Sequence, residues 1–156
     1  MKGDKNIILH LNKLLSDELV AVNQYFLHSK LFKSWGLERL NNIEHTECME
    51  ELEHAGLYAD RILFLEGIPV IKNCDSANIK ENIEDVLRMD LRLEYNAIVN
   101  LREGIRCADS IEDYISKEIM INILHAEEKH VDFLETELGL ILKLGIHNYI
   151  QSQLKK

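Results

Sequence analysis

The chain is short of residues that turn a backbone. Its 156 residues include one Pro, Pro69, and seven Gly. All-β folds need frequent turns, so this scarcity points to a few long helices. Cysteine is also sparse: Cys48, Cys74 and Cys107 are odd in number, scattered, and form no CxxC. That argues against a disulfide framework or a cysteine zinc site, and reduced cytoplasmic thiols are the expectation. No stretch of about 18 uncharged apolar residues exists to span a membrane. The start, Met1-Lys2-Gly3-Asp4, lacks the apolar run of a signal peptide. Basic blocks are missing too. Lys+Arg total 18 against 27 Asp+Glu, a net charge of −9, so nucleic acid and anionic membranes are poor partners and cations better ones. What remains is ordinary for a soluble globule, with 46% hydrophobic and 29% charged residues, and the length suits one domain over 1–156.

Apolar periodicity divides the chain into helices. Leu11, Leu15, Val22 and Phe32 mark a first helix over 5–34, broken at Ser34-Trp35-Gly36. Leu40, Ile43, Ile62 and Leu65 mark a second over 37–66, ended by Gly67-Ile68-Pro69. Residues 70–81 lack a period and carry Asn73, Asp75, Ser76 and Asn78, so they read as a long connection. Helices over 82–108 and 111–143 follow, with Asp109-Ser110 as the turn and N-cap signal between them. Gly145 separates a short fifth helix over 146–154. Two helical hairpins joined by a connection long enough to run the bundle's length describe an all-α four-helix bundle with a crossover.

The polar intruders on the apolar stripes carry the chemistry. Glu18 stands among Leu11, Leu15, Val22 and Tyr25; Glu51 and His54 precede Tyr58 and Ile62; Asp90 and Glu94 fall between Leu87 and Ile98; Glu127 and His130 fall between Ile123 and Leu134. A buried carboxylate needs a partner, a proton or a metal. The Glu-x-x-His pairs Glu51/His54 and Glu127/His130 put both side chains on one helix face, though finding two is unremarkable where chance supplies about one. Register is the stronger signal. Glu18 and Glu51 are 33 residues apart, as are Glu94 and Glu127, and each pair is centred on its hairpin turn. The members of each pair are therefore level, about 25 Å from the turn, at mid-bundle. Four carboxylates with two imidazoles suit iron or manganese better than zinc or copper(I). Their charge balances two divalent ions. This ligand set is the established pattern of ferritin-like di-iron proteins.

Long stretches of the chain resemble the bacterioferritin family: "MKGDKNIILHLNKLLSDELVAVNQYFLHSKLFKSWGL", "HAGLYADRILFLEGIP", "NLREGIRCADSIEDYISKEIM", "EEKHVDFLETELGLI" and the ending "GIHNYIQSQL". The resemblance implies a ferritin-like bundle assembled into a hollow cage of about 24 subunits, with the fifth helix near the four-fold axes. It implies a di-iron ferroxidase centre in which Glu51 and Glu127 bridge, with Glu18 and His54 at one end and Glu94 and His130 at the other. There Fe2+ would be oxidised by O2 or peroxide and ferric mineral collected inside the cage. Tyr25 matches a family position near the centre and would supply an electron or a hydrogen bond.

Departures from the family pattern matter as well. The family's haem is ligated by a Met between the bridging Glu and the His, and here that position is Leu52, which has no lone pair. Met49 is the nearest thioether. The expectation is a haem-free homomeric cage, or co-assembly with a second subunit that carries the Met; a ferredoxin partner for iron release is then in doubt. Thr46 replaces a frequent family His on the cavity face, weakening an inner iron site with Glu47 and Glu50, and Phe133 replaces a frequent Trp. Glu44, Glu47 and Glu50 read as a solvated acidic face, and Asp90 as an orienter of Glu94. Glu66 and Asp132 are candidates for iron pores, and Asn148 and Gln151 match polar positions near the four-fold pores. His10, His28, His45, His125 and His147 are expected at surfaces or interfaces, and Trp35 in packing. The competing functions are a non-storing di-iron or di-manganese oxidoreductase and a shell subunit of a mixed cage.

Overall fold

The computed structural model describes residues 1–72 and 80–154. Among them are five helices and no strand: α1 (Lys5–Ser34), α2 (Glu38–Phe64), α3 (Ile83–Ser110), α4 (Tyr114–Leu144) and α5 (Ile146–Gln153). Local chemistry sets the starts. Asp4, Asn82 and Asp113 accept from the backbone N–H groups of Asn6, Asp85 and Ser116, satisfying donors that a helix N-terminus leaves open.

The ends of α1, α2 and α3 share one device. A residue in the left-handed region turns the chain, and the next N–H reaches back five residues: Leu37 to Phe32, Gly67 to Ile62, and Asp113 to Ala108. Gly36 takes that conformation at the first site, with φ of 79°. The other two are taken by Glu66 and Glu112, each at φ 60°, where a side chain is strained. The break expected at Asp109-Ser110 therefore falls later. α3 continues through Ser110, and the N-cap of α4 is Asp113. Likewise α2 stops at Phe64, ahead of the Gly67-Ile68-Pro69 signal.

Helix α1 packs on α2 and α3, and α4 packs on α3 and α2. Two apolar clusters fill the ends of the bundle. One contains Ile7, Leu11, Ile62, Leu101 and Met120. The other contains Phe32, Leu40, Leu87, Leu134 and Tyr149. The end of α2 thus lies in the first cluster and the start of α3 in the second, so residues 65–82 connect opposite ends. α2 is about 40 Å long and 18 residues reach about 60 Å, so the connection is long enough. Residues 73–79, with Asn73, Cys74, Asp75, Ser76 and Asn78, lie outside the described residues.

Two polar ties fix the ends. Arg61 of α2 donates to Ser116 Oγ (2.8 Å) and Asp113 Oδ1 (2.8 Å) at the start of α4. Arg39 of α2 donates to Glu137 of α4 and to Gln153 of α5 (2.8 Å), and Tyr149 Oη donates to Glu137, which docks α5 across the bundle end. Trp35 packs edge-on to Phe32, as expected of a hairpin residue. No helix of the described residues is long and apolar enough to cross a membrane.

Candidate metal centre

Between the two apolar clusters the core turns polar, because each of the four long helices presents an acid there. Glu18 comes from α1, Glu51 and His54 from α2, Glu94 from α3, and Glu127 and His130 from α4. All but His54 are buried, and His54 is nearly so. One oxygen from each of Glu18, Glu51 and Glu127 and a ring nitrogen of His54 lie within 4.8 Å of one another. His54 Nδ1 is 3.3 Å from Glu127 Oε1 and 3.8 Å from both Glu18 and Glu51. His130 Nδ1 is 3.2 Å from Glu94 Oε1 and 3.5 Å from Glu47 Oε2. Tyr25 Oη donates to Glu94 Oε1 and lies 3.4 Å from His130 Nδ1. The six candidate ligands and Tyr25 therefore share one mid-bundle layer.

Crowding sets their protonation. Burial raises Glu51 to about 9 and Glu127 to about 11, and the neighbouring carboxylates Glu18 and Glu94 add to this. Burial likewise raises Glu18 to about 7. Glu94 moves down: burial opposes ionisation, but contacts with Glu127, His130 and Tyr25 favour the anion more. Burial alone would lower both histidines. The carboxylates of Glu127, Glu18 and Glu51 nevertheless lift His54 to about 12, and Glu94 lifts His130 to about 8. Burial, then Glu94 and Asp90, holds the Tyr25 phenol well above its usual range.

The donor set fits a pair of divalent cations. Glu18 Oε2, Glu94 Oε2, both Glu127 oxygens, His54 Nδ1 and His130 Nε2 are buried without a hydrogen-bond partner among the described residues. Unpartnered buried acceptors are costly, and a cation satisfies several at once. Two clefts reach the layer. One, of ≈ 400 Å³ between α1 and α3, is lined by Glu18, Gln24, Glu51, Glu94 and Glu127. The other, of ≈ 700 Å³ between α2 and α4, is lined by Glu47, Glu50, His54, His130 and Phe133.

Several residues sit elsewhere than expected. Glu44 is not on a solvated face: it is 1% exposed, because its stripe on α2 turns inward against α1 and α3. His28 is not at a surface: it is 1% exposed, with Nδ1 2.8 Å from Asp90 Oδ1. Asp90, expected to orient Glu94, makes its hydrogen bonds to His28 and to Gln24 Nε2 (2.7 Å) instead. His45, His125 and His147 are exposed and His10 half-buried. Glu50 is exposed and Glu47 half-buried beside His130. Phe133 stacks on the His130 ring at 6.1 Å. Glu66 is exposed and pairs with the N-terminal ammonium, Asp132 lies on the α3–α4 surface, and Asn148 and Gln151 are exposed on α5. Thr46 is exposed, its hydroxyl returned to Asn42 O. Cys48 is buried, Cys107 is half-buried, and both are free thiols.

Comparison with known proteins shows the family. The family model described as a ferritin-like domain matches residues 8–144. A protein of Synechocystis sp. named bacterial ferritin is 42% identical over 156 residues, covering 99% of each chain. The bacterioferritin of Brucella melitensis biotype 1 is 42% identical over 151 residues, covering 97% of this chain and 94% of its own. The bacterial ferritin of Paramagnetospirillum magnetotacticum is 44% identical over 155 residues, with the same two coverages, 97% and 94%.

Proposed function

The chain belongs to the bacterioferritins of the ferritin-like family, and on that premise we propose that it oxidises Fe2+ at the six-residue layer and stores the ferric product in a multi-subunit cage. The observation that carries the reading is the layer itself. Four buried carboxylates and two imidazoles meet at one height, with donor atoms left unpartnered, where the stripes of four helices would otherwise place leucine.

In this reading two Fe2+ are the substrate. Glu18 with His54 and Glu94 with His130 hold one ion each, and Glu51 and Glu127 are shared between them. Two Fe2+ supply two electrons, which with two protons reduce one O2 to H2O2; with peroxide as oxidant the products are water. The chain supplies position and charge. Four carboxylates neutralise the four positive charges of the incoming pair. Burial keeps water from competing for the ligand positions. Tyr25 fixes Glu94 through its hydroxyl, and sits where a phenol can pass an electron or a proton to the layer. The α1–α3 and α2–α4 clefts open to opposite sides of the bundle, one for substrate arrival and one for ferric product. Exposed apolar side chains on α1 and α2, including Leu9, Phe26, Leu63 and Phe64, supply contact area for assembly into a cage of about 24 copies.

The homomeric cage holds no axially ligated haem in this reading. Leu52 stands where a thioether would be needed and is 49% exposed on α2; Met49, 45% exposed, is one turn earlier, about 4.5 Å away along the axis. A partner subunit carrying that Met would restore the site in a mixed cage.

The test is Glu51→Ala. The variant should assemble to the same size as the wild type and lose the fast phase of Fe2+ oxidation in stopped-flow absorbance. Unchanged kinetics would sink the proposal and favour a shell whose iron chemistry belongs to a partner.

A further inference from the structure

Beside the six-residue layer lies a second cluster of acids that the proposed reaction does not use. It draws on three helices: Gln24 and His28 of α1, Glu44 of α2 and Asp90 of α3. His28, Glu44 and Asp90 are at most 1% exposed, and one ligand atom from each lies within 4.8 Å of the other two. We propose that Glu44, Asp90 and His28 form a third divalent-cation site, bordered on the side of the six-residue layer by the Tyr25 phenol.

Satisfied and unsatisfied atoms divide in a telling way. Asp90 Oδ1 already has two partners, His28 Nδ1 at 2.8 Å and Gln24 Nε2 at 2.7 Å. Asp90 Oδ2 and Glu44 Oε2, both fully buried, have no hydrogen-bond partner among the described residues. Neither carboxyl pairs with a Lys or Arg among those residues. Burial, then the charge of Asp90, pushes Glu44 well above the usual carboxylate range. Two acids this close and this dry need a shared proton or a cation between them. Ligand atoms on one first-row ion with bonds of about 2.0–2.2 Å are about 3 Å apart when adjacent and about 4.3 Å when opposite, so the triad draws in from its 4.8 Å limit when an ion binds. Two carboxylate oxygens and one imidazole nitrogen select Mn2+, Fe2+, Co2+ or Zn2+ over softer or larger ions.

The placement gives the site a route and a neighbour. The Gln24 amide both lines the α1–α3 cleft and bonds Asp90, so it stands between the cleft and the site. Tyr25 Oη donates to Glu94 of the six-residue layer, and its phenol also feels the charges of Asp90 and Glu44. The inference shares no ligand with the ferroxidase reading, so either can fail alone.

The experiment is anomalous diffraction from crystals of the assembled protein soaked anaerobically with Co2+, together with equilibrium dialysis of Co2+ in solution. The expected map has a peak bounded by His28, Glu44 and Asp90, in addition to those at the six-residue layer. The isosteric Glu44→Gln should lose that peak, keep the others, and bind one fewer Co2+ per chain. Peaks at the six-residue layer with none at the triad in wild-type crystals would overturn the proposal and leave a proton shared by Glu44 and Asp90. Equal Co2+ stoichiometry in wild type and Glu44→Gln would also overturn it. The wild-type map needs no variant to fold.

Discussion

Loading the six-residue layer with divalent cations must expel protons, and the structure sets how many. Without cations Glu51 stands at about 9, Glu127 at about 11, His54 at about 12 and His130 at about 8, so all four carry a proton at pH 7. Glu18, at about 7, is half protonated. Cations accept only carboxylates and neutral imidazoles as ligands. Binding two divalent ions at pH 7 therefore releases about four protons, about two per ion, and each affinity changes about 100-fold per pH unit. The layer is close to neutral in both states, through protons in one and metal charge in the other. Anaerobic calorimetry with Co2+, in two buffers of different ionisation enthalpy, counts the protons. Release of one or fewer per two ions would mean that the carboxyls are ionised beforehand despite their burial. The same groups fix the sign of the pH dependence of folding. The folded values of Glu51, Glu127 and His54 lie above their ordinary 4.5, 4.5 and 6.5, so the folded chain binds more protons than the unfolded one. Their contribution is complete below the ordinary values and is lost as pH rises toward the folded ones. The melting temperature without cations should fall between about pH 5 and 9, and the slope should flatten once ions are bound.

Two substitutions probe Tyr25 and the α3–α4 turn. Tyr25→Phe removes the donor to Glu94 while keeping the ring packed against His130. Co2+ stoichiometry should be unchanged and Fe2+ oxidation slowed about 10–100-fold in stopped-flow traces, and an unchanged rate would reduce Tyr25 to packing. Glu112→Gly relieves a side chain held at φ 60° in the α3–α4 turn. It should stabilise by about 1 kcal/mol and raise the melting temperature by about 2–4 °C, and a lower value would mean the glutamate makes a compensating contact.

How much of this was legible beforehand depends on what each residue contrasts with. Glu18, Glu51, Glu94 and Glu127 stood out because they interrupt leucine stripes, and the equal spacing about each turn placed them level. Glu44 and His28 did not stand out. A glutamate in Glu44-x-x-Glu47-x-x-Glu50 is as suited to a wet helix face as to a buried one, and only the packing of α2 on α1, which turns Glu44 toward His28 and Asp90, decides. A usable signal was present: Glu44 precedes Glu51 by two helical turns, Asp90 precedes Glu94 by one, and His28 extends the Tyr25 stripe. The α3–α4 turn moved because Asp109, Ser110 and Asp113 are all N-cap residue types, and the choice among them was settled by Arg61 reaching Asp113 and Ser116. The left-handed Glu66 and Glu112 left no trace in composition, since that conformation is normally signalled by glycine.

The most direct measurement is anaerobic loading of the purified protein with Fe2+, followed by oxidant, read by absorbance from the near-UV through the Soret region and by size-exclusion mass. The expected result is a cage-sized species, a fast oxidation phase saturating near about two Fe2+ per chain, far more iron retained on continued addition, and no Soret band. A small oligomer that never holds more than about two irons per chain would contradict storage and point to a non-storing di-iron oxidoreductase. A Soret band from the homomeric protein would contradict the haem-free reading of Leu52.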